Sequence, residues 1–370
     1  MIHWRRGEVS ALTGGWGEVI TCEVALEDGS SVPALAYSPE VGSPEVGDTV
    51  VLNVSALLKS LGTGGHALVV ALPDRLPPDP ADETGAQPAG HIVKARYTPL
   101  QTMVLALEEQ ESAAHDALRT RAEVVAGDLD GMPVVVAELH SALPAVVAGL
   151  HLERPGARVV YVMTDTGALP LAFSRRVAQM RARGMLASTV TVGQAYGGEH
   201  EAITLHSGLL AARYVLGADV IVVAQGPGNA GSATTWGYSG ISQGESLNAV
   251  HTLGGRGIAA LRVSGADPRE RHRGLSHHAG TALGRVVLGA ADLPFADDEA
   301  LSPGLRAAVE DLCARAAGDL RPVSVLATGL EEALRACPVP LRTMGRGLDD
   351  DPAAFLTTAA AGRYAARLLQ

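Results

Sequence analysis

From residue 132 onward the chain repeats one pattern. A short, strand-like and largely apolar run is followed by a cluster of polar residues or glycines, and then by a stretch with helical spacing. The runs cover residues 133–137, 158–163, 187–192, 219–224 and 257–263, with helices expected near 141–152, 170–183, 201–216, 245–253 and 277–288. A strand covered on one face alternates apolar and polar residues, whereas one covered on both faces is apolar throughout. The pattern therefore predicts an α/β fold with a mostly parallel, doubly wound, Rossmann-like sheet between two helical layers. Two more strands are expected at 323–327 and 339–343, around a helix at 330–337.

The first 72 residues read differently. Short alternating runs such as 17–24, 32–37 and 46–54 are broken by glycines and turns, which predicts a small N-terminal β-barrel or sandwich domain. Residues 73–90, rich in proline and aspartate, read as an exposed linker. The α/β domain is then expected over 91–370, opening with a strand-like stretch at 91–107 and a helix at 108–120.

With 370 residues and 47% hydrophobic content, the chain can bury a substantial core. Its net charge of −11 is spread along the sequence and favours solubility. No basic stripe interleaved with aromatics appears, so nucleic acid is not an expected partner. No apolar run approaches the ~18 residues needed to cross a bilayer, and the first seven residues lack the apolar core of a secretory signal. Cys22, Cys313 and Cys337 are far apart and form no CxxC spacing, which argues against a disulfide framework or a cysteine metal site. A reduced, cytoplasmic location is expected, and a homo-oligomer is compatible with the chain.

In open parallel sheets, ligands bind where the loops leave the carboxyl ends of the strands. The first strand ends in Glu138-Leu139-His140-Ser141, the second in Thr164-Asp165-Thr166-Gly167, and the third in a segment reaching His200. The fifth reaches Ser264-Gly265-Ala266-Asp267, and Ser276-His277-His278 then opens a helix. Each residue has an ordinary structural use: Glu138 and Ser141 at a helix cap, Asp165 in an Asx turn, His140 as a hydrogen-bonded boundary histidine. Together, His140, Asp165, His200 and His277 form a candidate acid–base set. His277 and His278 are neighbours on a helix, about 100° apart around its axis, and are not expected to bind one metal together. A divalent metal held by His and Asp is compatible with the composition, although no HExxH-like spacing indicates one.

The fourth strand runs into Gln225-Gly226-Pro227-Gly228-Asn229, then Thr234-Thr235-Trp236. Backbone N–H groups and short donors at a sheet edge suit an anion. Gln225, Gly226, Gly228, Asn229, Thr234, Thr235 and Trp236 are therefore the candidate substrate-binding residues. Gly226, Gly228 and Gly231 satisfy G-x-G-x-x-G, but Pro227 stiffens the turn and no helix opens at once, so a dinucleotide site is not expected.

The residues favour a hydrolase or group transferase acting on a small anionic metabolite, phosphorylated or nucleotide-derived. A non-catalytic metabolite-binding or regulatory module is the alternative, and a His/Asp metal-dependent hydrolase is a third.

Several segments carry a family resemblance: Gly90-His91-Ile92-Val93-Lys94-Ala95-Arg96-Tyr97-Thr98-Pro99-Leu100-Gln101, Glu138-Leu139-His140-Ser141, Gly197-Gly198-Glu199-His200-Glu201, Gln225-Gly226-Pro227-Gly228-Asn229, Ser276-His277-His278 and Met344-Gly345-Arg346-Gly347. Over essentially its whole length the chain resembles an uncharacterised bacterial family, frequent in actinobacteria and classed as a domain of unknown function. The resemblance implies a bacterial protein and brings no activity, cofactor or catalytic residue with it.

Overall fold

The computed structural model describes residues 1–81, 85–298 and 303–369, so residues 82–84 of the expected linker lie outside the described residues. The chain divides into two compact units. The first comprises Met1–Ala89 with Ala95–Thr102 and Ala172–Ala178; the second comprises Gly90–Lys94, Met103–Leu171 and Gln179–Gln370.

The first unit is built on a closed five-stranded barrel: β1 (Trp4–Trp16), β2 (Val19–Leu26), β3 (Ser31–Tyr37), β4 (Thr49–Asn53) and β5 (Ala67–Ala71), in the order β1-β2-β3-β5-β4. Gly17, in the left-handed region at φ 52°, makes the tight turn that pairs Trp16 with Val19. Inward-facing Val9, Cys22, Val24, Ala34, Val50 and Leu52 fill the interior. Closure leaves the barrel without free strand edges.

The second unit holds an eight-stranded sheet. Its strands are β6 (Pro133–Ala137), β7 (Val159–Thr164), β8 (Ser188–Thr191), β9 (His200–Glu201), β10 (Val220–Gln225), β11 (Arg256–Ala260), β12 (Ala290–Asp297) and β13 (Asp319–Leu326). They lie in the order β9-β8-β7-β10-β6-β11-β12-β13, and every pairing is parallel. On one face Val134, Val136, Val160, Val162, Ile221 and Val223 pack against α2 (Leu205–Tyr214) and α3 (Ser242–Thr252), while α5 (Leu305–Arg315) packs on β12 and β13 within the same core. The intervening residues Val135, Tyr161, Met163 and Val222 are equally buried, because successive side chains point to opposite faces. That second face is covered by α1 (Leu143–Glu153), α6 (Leu330–Arg335) and α7 (Pro352–Arg367). Helices α1 and α7 approach at backbone distance: a Cβ on Gly149 would lie 2.0 Å from the Ala359 carbonyl, and one on Gly362 1.8 Å from that of Val146.

Three expectations change. The segment at 339–343 is not a strand; Thr343 forms only a bridge with Arg346. A strand instead occupies Ala290–Asp297, where Asp292 and Pro294 interrupt the apolar run. Asp292 is tolerated at 1% exposure because Arg256 and Arg321 contact its carboxylate at 2.7 and 3.1 Å. The helix expected at 108–120 is confined to His115–Thr120, since Glu109 upstream spends its carboxylate on the backbone N–H groups of His91 and Ala106.

No helix among the described residues is long and apolar enough to cross a membrane.

Candidate functional site

The strand order creates a crossing at the middle of the sheet. The chain leaves β10 on one side of β6 and returns as β11 on the other. Loops at such a switch point diverge and leave a crevice at the carboxyl edge. The side chains directed there from β6, β10 and β11 meet at Glu138.

Glu138 is 3% exposed, and its Oε1 gathers three donors. Arg262 Nη1, two residues beyond β11, donates at 2.7 Å, and Asn229 Nδ2, beyond β10, at 3.4 Å. His278 Nδ1, from the first turn of α4 (His277–Thr281), lies at 2.6 Å. Burial pushes the carboxyl up, but the His278 hydrogen bond and the Arg262 charge outweigh it and hold Glu138 below the ordinary carboxylate value. Glycine is required opposite: a Cβ on Gly240 would stand 2.4 Å from Glu138 Cγ. Gln243, at the start of α3, fixes the strand ends by donating to the carbonyls of Val136 and Ala260.

Glu138 and Arg262 also line a small pocket of about 40 Å³ that opens to solvent. Across it stand Ser264, Asp267 and Arg346. Arg346 bridges Asp267 at 3.3 Å and the fully buried Asp351 at 3.0 Å, and Asp351 accepts from Ser264 Oγ and the Gly265 N–H. The hydrogen bond from Arg269 leads the effects that hold Asp267 far below the usual carboxylate range.

His278 belongs to a second group. Its ring stacks on Tyr238, with centroids 3.7 Å apart and planes inclined by 15°. The His277 and His272 rings lie 4.5 and 5.0 Å from it, and 4.9 Å from each other. The expectation that His277 and His278 diverge thus gives way: 100° separates their Cα–Cβ directions, and side-chain torsions bring the rings together. His272 Nδ1 is 2.8 Å from Ser276 Oγ, the helix-capping hydroxyl. His277 Nε2 is buried and has no hydrogen-bond partner.

Burial, reinforced by Arg262 and Arg269, pushes His272 down from 6.5 to about 4, and burial also lowers His277. Between these limits the unfolded chain binds more protons than the folded one, so stability falls as the pH drops from 6.5 towards 4. With chelator present, the melting temperature of the wild type is expected to decline across that window and the slope to be shallower in His272→Gln. Equal slopes would remove His272 as the cause.

The other sequence candidates are placed apart or otherwise engaged. His140 is buried after β6, with Nδ1 3.0 Å from the Tyr161 hydroxyl. Asp165, at the end of β7, accepts the Gln194 N–H at 2.8 Å and ties two strand ends together. His200 lies on β9, four strands from β6 and thus ~19 Å across the sheet.

In the loop after β10, Gln225 Nε2 donates to the Glu138 carbonyl while its Oε1 is buried without a partner. The Gly226, Ala230 and Ser232 N–H groups are taken by Thr164, Ser239 and Gly237. Gly228, at φ 93°, turns the chain into Asn229. Thr234 caps the loop's own Gly237 N–H, and both Thr234 and Thr235 are exposed. Trp236 is 54% exposed, with the Arg285 guanidinium 5.9 Å from its ring.

Sequence reasoning missed Arg262, His272, Arg346 and Asp351. A usable signal existed for one of them: three histidines within seven residues, His272-x4-His277-His278. A second group, His91, Glu109 and Glu111, also gathers potential ligand atoms. There, however, Glu109 is already committed to backbone N–H groups, and the His91 side chain is 74% exposed.

Fold and edge together define a doubly wound parallel α/β protein with a barrel unit and buried ionisable groups at the switch point of its sheet. The chain belongs to the family described as "Protein of unknown function (DUF3866)", whose model matches residues 33–362. Neither the curated proteins nor the solved structures contain a match to it.

Proposed function

We propose that this protein is an enzyme, a hydrolase or group transferase, acting on a small anionic metabolite at the carboxyl edge of the sheet. The observation that carries the reading is the buried Glu138 hub at the switch point, joined to Arg262 and His278 and open to a pocket. Burying a carboxylate, a guanidinium and a cluster of imidazoles is costly for a scaffold alone, and such groups concentrate where chemistry is done. Arg262 reaches Glu138 through Nη1, and Arg346 reaches its carboxylates through Nε and Nη2. The remaining guanidinium N–H groups suit a phosphate or carboxylate. His272, His277 and His278 do not line this pocket but adjoin it through Glu138; in this reading the imidazole cluster activates water or an acceptor hydroxyl, and Glu138 orients it.

The test is a thermal-shift screen with nucleoside monophosphates, sugar phosphates and small carboxylic acids, followed by product analysis of each stabilising compound. Stabilisation with turnover that is lost in His278→Gln is the expected result. Stabilisation without turnover would make the protein a metabolite sensor, and no shift with any compound would overturn the anionic-ligand assignment.

A further inference from the structure

We infer that His272, His277 and His278 form a binding site for one divalent transition-metal ion of the zinc class, with its fourth position open to water or a substrate oxygen. The three residues each offer a ring nitrogen, and these nitrogens lie within 4.8 Å of one another. A tetrahedral zinc ion with Zn–N of ~2.0–2.1 Å keeps its ligand nitrogens ~3.3 Å apart. Small rotations of three side chains on one short segment close that gap.

The surroundings match what metal-bound imidazoles require. A ligating histidine directs its second ring nitrogen to a carboxylate, carbonyl or other acceptor, which fixes the tautomer and orients the ring. His278 Nδ1 lies 2.6 Å from Glu138 Oε1, closer than the 3.2 Å to Arg262 Nη1. The carboxylate therefore takes the Nδ1 proton and leaves Nε2 with its lone pair. His272 Nδ1 faces Ser276 Oγ at 2.8 Å, and this oxygen can accept from it, again leaving Nε2 for a metal. His277 presents Nε2 itself, buried and without a partner. Three histidines with one open position is a ligand set used by catalytic zinc, where the metal lowers the pKa of bound water to near neutrality. Three imidazoles without thiolate or a hard oxygen cage favour zinc, cobalt or nickel over magnesium or calcium.

The inference deepens the proposed activity, and only the role of the open position rests on that reading. Protein stripped with EDTA should take up one equivalent of Zn²⁺ per chain in a calorimetric titration. Co²⁺ in its place should give the visible bands of a four-coordinate site. His272→Gln and His277→Gln should abolish stoichiometric uptake while circular dichroism shows an intact fold. Glu138→Gln should weaken it by about 10–100-fold, as loss of an orienting partner does. With Co²⁺, His277→Cys should keep the metal and add a thiolate-to-cobalt charge-transfer band, which a merely structural histidine could not produce. Uptake below one equivalent, or uptake unaffected by His272→Gln and His277→Gln, overturns the site. Metal binding without turnover on any compound would sink the proposed activity and leave the site standing; turnover in metal-free protein without uptake would do the reverse.

Discussion

Glu138→Ala is expected to remove about 3–5 kcal/mol of folding stability, the usual consequence of deleting one partner of a buried ion pair. Glu138 is the only carboxylate within ion-pair reach of Arg262 among the described residues, and the Arg262 side chain is 10% exposed. Truncation leaves a guanidinium without its counter-charge and His278 Nδ1 without its acceptor. The cavity adds to the loss, because Gly240 is pressed against Glu138 Cγ and has no side chain to fill the gap. Urea unfolding of wild type, Glu138→Ala, Arg262→Met and the double variant measures the coupling. The double variant should be more stable than Glu138→Ala alone, since it no longer buries an orphan charge. If Glu138→Ala costs less than about 1 kcal/mol, in the range of exposed pairs, the hub is not the desolvated pair described.

Lys94→Met should produce an effect of similar size for a different reason. The Lys94 side chain is fully buried, and its Nζ donates to the Ala195 and Ala202 carbonyls at 3.1 and 3.0 Å. Glu201 stands further off, at 3.5 Å. The carbonyls thus hold the ammonium, and the carboxylate balances its charge. Burial draws Lys94 below and Glu201 above their ordinary values, each towards its neutral form. Methionine preserves the length of the side chain but leaves two carbonyls without a donor and Glu201 without its counter-ion. A loss of about 3–5 kcal/mol follows. Lys94→Met/Glu201→Gln should recover part of it, because a neutral glutamine needs no counter-ion: its Oε1 can accept the Gly197 N–H and its Nε2 can donate to Thr191 Oγ1, the two groups that now donate to Glu201. A double variant no better than Lys94→Met would show that the carbonyls, not the charge, dominate. Denaturant unfolding resolves both cases.

The fold was legible where burial imposes a simple pattern. Strands β6, β7 and β10 are covered on both faces, so their apolar runs stand out; β8, Ser188–Thr191, is buried as well but is built mostly of Ser and Thr. β12 was hidden by Asp292 and Pro294, because the ion pairs that make Asp292 tolerable come from Arg256 and Arg321, remote in sequence. α7 carries no amphipathic stripe, as nearly all its residues are buried between α1 and the sheet.

The site was legible as a place and not as a set of residues. Reading strand ends named the loop after β10 and His277 as candidates and Glu138 as a helix cap, and all three stand at the carboxyl edge of the sheet. It also put His200 with them, since spatial strand order is not the order in sequence. Glu138 resembled a helix cap in sequence, and only the return of the chain as β11 brings Arg262 to it.

The same strand order bears on how the molecule assembles. β6 and β7 are consecutive along the chain yet never pair; β10, which begins more than fifty residues after β7 ends, is inserted between them. The first two βα units therefore have no sheet to share until a distant segment arrives. Closing loops of that length before any contact rewards them slows folding, and until β10 is seated β6 and β7 each present an unpaired, strongly apolar edge to any other chain nearby.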